Sequence, residues 1–287
     1  MDFRYANPNV LAIHDLSGFG HTSLMAVIPI MYRMGIEVAT MPSALLSANT
    51  DHPGYIIQDN SDLLEKSFQH WKELKLSFDA IYTGFLGSPK QVALLLDYLP
   101  KLKKNETITL VDPVLADEGK LYSCYTWEMV EAMRSLLAIS NLITPNWTEF
   151  AFLSGYQTWE AIKPEQTKER CRKLAAWGPR YIVVTSAPNS KGKFSSIVFY
   201  DADNDYYQEL DCLYAPVNFP GSGDCFSAML LAGIINGYSI INSIKGAIAF
   251  MHKAIEISIP TVVNRITGIN LAAALKNDPF LFFSDKA

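Results

Sequence analysis

Apolar runs of strand length alternate with stretches of helical periodicity along most of the 287 residues. Residues 10–14 (VLAIH) are a short apolar run, the pattern of a buried strand. They lead into DLSGFG, residues 15–20, which predicts a glycine turn. A helix over 22–34 follows and Gly35 stops it. Residues 38–41 predict a second strand. The stretch PSALLSANTDHPGY behind it mixes serines, Asn49, Thr50, prolines and Gly54 and is long for a plain connection. Loops of that length are commonly lids or binding loops. Further on, the pattern predicts a charged amphipathic helix over 60–74 and strands over 80–84 and 107–111. Ser88-Pro89 opens a helix between those two strands. Residues 142–143 and 181–184 predict more strands, and 195–200 with 206–213 an antiparallel hairpin around DADND. The repeated strand–turn–helix order points to an open α/β sheet, whose ligands lie at the carboxyl ends of strands.

The composition fits one large core: 49% of the residues are hydrophobic and 18% charged. No internal repeat, low-complexity tract or linker divides the chain, so a single domain over 1–287 is expected. A net charge of −5 with no basic stretch speaks against a nucleic-acid partner. Residues 225–244 are twenty positions without a charge, enough to span a bilayer. Asn236-Gly237 reads as a helix stop inside them, so two buried helices are expected instead. The four cysteines have no zinc or C-x-x-C spacing. With no signal peptide visible, reduced thiols and a cytoplasmic location are the simplest expectation. The histidines beyond His14 (21, 52, 70 and 252) form no metal-binding pair.

The chemistry gathers in PVNFPGSGDCFSAMLLAGII, residues 216–235. Gly221 and Gly223 permit a tight turn and close approach to a ligand. The helix opening there presents unpaired N–H groups with the dipole behind them, an anion site. A carboxylate at its mouth, Asp224, would repel a phosphate. It makes sense if it takes a proton from a group attacking that phosphate. Glycine with Ser/Asp is also an ordinary helix start. Elsewhere, GFGHTS fails the dinucleotide pattern because Ser23 stands where a third glycine belongs, and no P-loop occurs. Asp15 and Ser17 at a strand end are turn formers or ligand contacts. Asp112 after a strand suits a cation or caps its turn. Asn146 with Glu149 three residues on is either a capping box or a pair facing a nucleotide and its Mg²⁺.

GSGD followed by a small, apolar helix resembles the signature of ribokinase-superfamily kinases. DLSGFGHTS, LSANT, VDPVLADEGKLY, TPNWTEFAFLSG and GSGD occur in the order and approximate spacing of pyridoxal/pyridoxine/pyridoxamine kinases. The resemblance implies a three-layer α/β/α ribokinase-like fold with a central, mostly parallel sheet. It also implies use of Mg·ATP, often with a monovalent cation such as K⁺, a B6 vitamer as substrate, and a homodimer. Matched position by position, Asp224 is the base, and Gly221, Ser222 and Gly223 supply the anion hole. Asp112 and Glu149 lie near phosphates and Mg²⁺, with Asn146 beside them and Asp117 in a loop that closes over ATP. Thr185 and Ser186 contact phosphate. Asp15, Ser17, Thr50 and Phe85 fall on the substrate side.

The match has departures. Many pyridoxal kinases carry serine where Asp15 stands, histidine where Asn49 stands, and tyrosine where Phe85 stands. The D-x-S-G pattern at Asp15 is closer to hydroxymethylpyrimidine (phosphate) kinases, the alternative activity. Those enzymes usually end the glycine signature in cysteine, whereas here it ends in Asp224. A sugar kinase or a non-catalytic binder of the same fold are the other readings. The Thr50 motif disfavours the first, and an intact base with its anion hole disfavours the second.

Overall fold

The computed structural model describes residues 6–157, 164–188, 194–212 and 219–284. Its elements begin β1 (Asn9–Ser17), α1 (Leu24–Arg33), β2 (Glu37–Leu46), β3 (Ile57–Asp59), α2 (Ser61–Glu73), β4 (Phe78–Thr83), α3 (Pro89–Leu102) and β5 (Lys103–Val111). Two very short strands follow, β6 (Ala116–Asp117) and β7 (Lys120–Leu121), then α4 (Trp127–Leu136), β8 (Leu142–Ile143), α5 (Trp147–Leu153) and α6 (Thr167–Ala175). The rest is β9 (Tyr181–Pro188), β10 (Phe194–Asp201), β11 (Tyr206–Asp211), α7 (Ser222–Ile235) and α8 (Ile240–Thr261).

Among the described residues, nine strands form one sheet in the order β11-β10-β9-β8-β5-β4-β1-β2-β3. The pairs β1/β2, β5/β8 and β8/β9 are parallel. β3, β10 and β11 join antiparallel. This is the expected α/β architecture, a large, mostly parallel sheet flanked by helices. Val10, Leu11, Ala12 and Ile13 are fully buried, as an apolar run in a strand covered on both faces must be.

The chain forms two compact units, one of residues 1–81, 103–107 and 215–287, the other of residues 82–102 and 108–214. In the first, α7 is buried along most of its length and packs on α8 and α1. The uncharged stretch 225–244 is split between α7 and α8 by the stop at Asn236 and Gly237, and none of the described helices is long and apolar enough to cross a membrane.

Several boundaries differ from the sequence pattern. β1 runs on through Ser17 with a register shift between His14 and Leu16, so Asp15 and Ser17 stand in a strand and not in a turn. β2 takes in PSALL because Leu45 and Leu46 continue the pairing with β1. The long loop therefore shrinks to 47–56. β3 carries no pattern signal, since all three of its residues are exposed. β5 starts at Lys103, where its first four residues are polar and only part-buried or exposed. The expected closing loop at 117–124 contains the β6–β7 hairpin, turned by Glu118 (φ 47°) and Gly119 (φ 80°), the paired positive φ of a tight hairpin. Leu213 of the last predicted strand, Pro216, Val217 and Asn218 of the glycine-rich stretch, and the tail 285–287 lie outside the described residues.

Candidate functional site

In the first unit the site is built where β1 ends and α1 and α7 begin. Gly221 is the N-cap of α7 in a left-handed conformation, φ 82°. A Cβ there would stand 2.1 Å from the His21 carbonyl oxygen, so only glycine fits. Ser222 turns back on the preceding loop: its hydroxyl and its N–H both donate to the Phe219 carbonyl, at 2.6 and 3.2 Å. Of the amides expected to form the anion hole, this engages the one at Ser222. Gly223 is exposed, and nothing lies within 4 Å of its would-be Cβ.

Asp224 stands in the first turn of α7 with its side chain 11% exposed. Its Oδ2 accepts from the backbone N–H of Ser23 at 2.8 Å. Its Oδ1 lies 3.8 Å from His14 Nδ1. His14 is completely buried, and burial pushes its pKa down to about 3, so it is neutral at working pH.

Asp15 is buried beside this group. Its Oδ1 accepts from the Ser23 hydroxyl, and its Oδ2 from the Ser17 hydroxyl at 3.0 Å. Burial raises the Asp15 carboxyl above the usual carboxylate range, and these two hydroxyl bonds oppose the rise. Thr50 is exposed at the head of the loop behind β2. Its neighbour Asn49 is buried and ties that loop down. The Asn49 amide donates to the Ile266 carbonyl at 2.7 Å, and its side-chain oxygen accepts from Asp51 N–H at 3.2 Å.

In the second unit the residues around α5 form a closed hydrogen-bonded set. Asn146 and Glu149 make the full capping box. Glu149 Oε2 accepts from Asn146 N–H at 2.8 Å, and Oε1 from Leu115 N–H at 3.0 Å. The Asn146 amide donates to the Ala116 carbonyl at 2.7 Å, and Gly119 N–H to the Thr148 hydroxyl at 3.0 Å. The hairpin carrying Asp117 is thus fastened to the start of α5. Glu149 is buried, and its carboxyl is raised well above the usual range, first by burial and then by the charge of Asp112. Two mutually repelling buried carboxylates are the chemistry that a cation offsets. Thr185 N–H donates to the Pro145 carbonyl at 2.9 Å, which places Thr185 against the Asn146 segment. Ser186 is exposed at φ 54°. Phe85 stacks on Tyr125 with ring centroids 5.6 Å apart.

Inspection of the sequence missed Ser23 and His14, which both approach Asp224, and the 264–269 segment, which holds Asn49 and His21. In the structure Ser23 has a positive φ of 51°.

A phosphomethylpyrimidine kinase family model matches residues 25–268. The chain is 26% identical over 262 residues to a pyridoxine/pyridoxal/pyridoxamine kinase of Bordetella avium, covering 86% of this chain and 84% of the relative. Among solved structures, a Bacteroides thetaiotaomicron protein provisionally named a phosphomethylpyrimidine kinase, in a crystal form with pyridoxal, superposes with a TM-score of 0.90. It is 34% identical, with 95% of this chain and 96% of that one covered. The pyridoxal kinase of Lactobacillus plantarum gives a TM-score of 0.86 at 26% identity over 96% of this chain and 98% of its own.

Proposed function

The chain belongs to the phosphomethylpyrimidine kinase family, and we infer that within it this chain is an ATP-dependent kinase of B6 vitamers. It phosphorylates the 5'-hydroxymethyl of pyridoxal, pyridoxine or pyridoxamine. The observation that carries this inference is Asp224, a carboxylate at the N-terminus of a helix whose glycine cap is enforced by contact with His21. Relatives named for all three vitamers, and a relative crystallised with pyridoxal, favour the pyridine over the pyrimidine. Phosphorylation of hydroxymethylpyrimidine is the second reading, favoured by the family's name and by the D-x-S-G pattern at Asp15.

Asp224 accepts the proton of the substrate hydroxymethyl as its oxygen attacks the γ-phosphate in line. The amides of Gly221 and Gly223 at the start of α7 stabilise the charge that spreads over the phosphoryl oxygens, and Ser222 holds that turn through its bonds to the Phe219 carbonyl. Ser17, Thr50 and Phe85, with Asp15, lie on the ring side. Asn146, Asp117, Thr185 and Ser186 serve the nucleotide. Asp112 and Glu149 would hold Mg²⁺, which when bound neutralises phosphate charge. Glu149 already accepts backbone N–H bonds on both oxygens, which suits contact through water, as Mg²⁺ keeps several waters. A monovalent cation such as K⁺ is a further requirement to test. The whole of residues 1–287 is proposed to act as one kinase domain, in the cytoplasm, as a homodimer.

The test is transfer of ³²P from γ-labelled ATP to pyridoxal, with the product identified as pyridoxal 5'-phosphate. Absence of transfer to every B6 vitamer would overturn the proposal.

A further inference from the structure

We propose that Ser23 and Asp15 are positioning residues for Asp224: Asp15 locks Ser23 in a conformation that turns its backbone N–H onto the Asp224 carboxylate. The role of Asp224 as base is taken from the function proposed above.

Three observations converge. Ser23 has φ 51° and ψ −128°, a backbone conformation that side-chain-bearing residues rarely adopt. Such strain persists only where the surroundings over-determine it, and it gathers at functional sites. Second, Ser23 is the N-cap of α1 yet makes no side-chain capping bond. A serine in that position ordinarily accepts from its own helix. Here the hydroxyl donates instead to Asp15 Oδ1 on β1. Asp15 is itself held by the Ser17 hydroxyl at 3.0 Å, and Ser17 receives the Thr22 hydroxyl at 3.4 Å. Third, the N–H that this conformation presents reaches Asp224 Oδ2 at 2.8 Å, across 201 residues of sequence.

A charge-assisted bond of this kind both orients a carboxylate and favours its ionised form. The base must be ionised to accept a proton, and it must hold one rotamer to meet the substrate oxygen. Among the described residues, the ionisable groups near it include His14 and Asp15 on β1 and Cys225 beside it on α7. His14 stays neutral at working pH. Burial pushes the Cys225 thiol up, so it adds no charge either. Asp15 acts through the Ser23 hydroxyl.

The experiment compares Ser23→Ala, Ser23→Gly and Asp15→Ala with wild type. Glycine accepts φ 51° without strain but offers nothing for Asp15 to hold. All three variants are expected to lose roughly tenfold to a hundredfold in kcat, the worth of one hydrogen bond to a charged group. KM for ATP and vitamer should stay within about twofold in the two Ser23 variants. The acid limb of the kcat–pH profile is expected to move to higher pH. A readout independent of turnover is the titration of the Asp224 carboxyl by ¹³C NMR without substrate. Its pKa is expected to rise in Ser23→Ala and Asp15→Ala. An unchanged Asp224 titration in both variants overturns the proposal. So does a raised vitamer KM at unchanged kcat in the Ser23 variants, which would make Ser23 a substrate contact. If wild type phosphorylates no vitamer while the Asp224 titration still shifts, the kinase assignment fails and the positioning stands.

Discussion

Replacing Gly221 by alanine tests the geometry of the anion site most sharply. The new Cβ would lie 2.1 Å from the His21 oxygen, 3.1 Å from its carbonyl carbon and 3.2 Å from Thr22 Cα. A comfortable contact needs roughly 3.5 Å, so relief requires movement of about 1.4 Å. Both sides are backbone, and neither is the end of a flexible side chain. The left-handed φ of 82° adds about 1–2 kcal/mol for any L-residue. The loop and the first turn of α7 must shift together, and Asp224 moves with them. A misplacement of about 1 Å at a reacting group costs on the order of a hundredfold in rate. We therefore expect Gly221→Ala to lower kcat at least about a hundredfold and Tm by roughly 4 °C or more. Gly223→Ala is the control: nothing lies within 4 Å of its Cβ. It is expected to melt within about 2 °C of wild type. ADP release in a coupled assay and thermal melts measure both variants. A Gly221→Ala protein that melts and turns over like wild type would refute the reasoning.

Asp224→Asn is expected to cut kcat by roughly 10²–10⁴ with little change in ATP affinity, and wild-type kcat in this variant would remove Asp224 as the base. Glu149→Gln is expected to raise the Mg²⁺ concentration needed for half-maximal rate more than it raises vitamer KM; an unchanged Mg²⁺ titration would leave Glu149 as a capping residue alone. Because the Glu149 carboxyl is raised in the folded protein, the folded state binds its proton more tightly than the unfolded chain does. Its contribution to stability is therefore present below the ordinary value of 4.5 and is lost as pH rises toward the folded value. Mg²⁺ with nucleotide is expected to raise Tm more at pH 8 than at pH 5.5, and Glu149→Gln is expected to flatten that difference. Equal stabilisation at both pH values, in wild type and variant alike, would count against a cation at Glu149.

Much of this was legible in the sequence because apolar pattern and turn residues agree locally. The buried run of β1, the capping box at Asn146, the hairpin of β10 and β11 and the glycine start of α7 follow from short-range signals. The rest depends on partners distant in sequence. β3 is exposed on all three residues and is a strand because β2 pairs with it, and the first four residues of β5 are polar. Asp15 was expected in a turn, since the glycines around it carry a turn signal; the pairing of Ser17 with Leu46 in β2 keeps it in the strand. No local rule could place Ser23 on a carboxylate 201 residues away. Asn49 and Glu149 show the opposite case, where the residue was noticed and its partners, Ile266 and Leu115, were not.

The central claim is tested most directly by kcat/KM for pyridoxal and for hydroxymethylpyrimidine, measured with Mg·ATP on the same wild-type preparation, with Asp224→Asn beside it. The account predicts that pyridoxal is the preferred substrate, that the phosphate is found on its 5'-oxygen, and that the variant loses this transfer. A preference for hydroxymethylpyrimidine, or transfer that survives in Asp224→Asn, would contradict it.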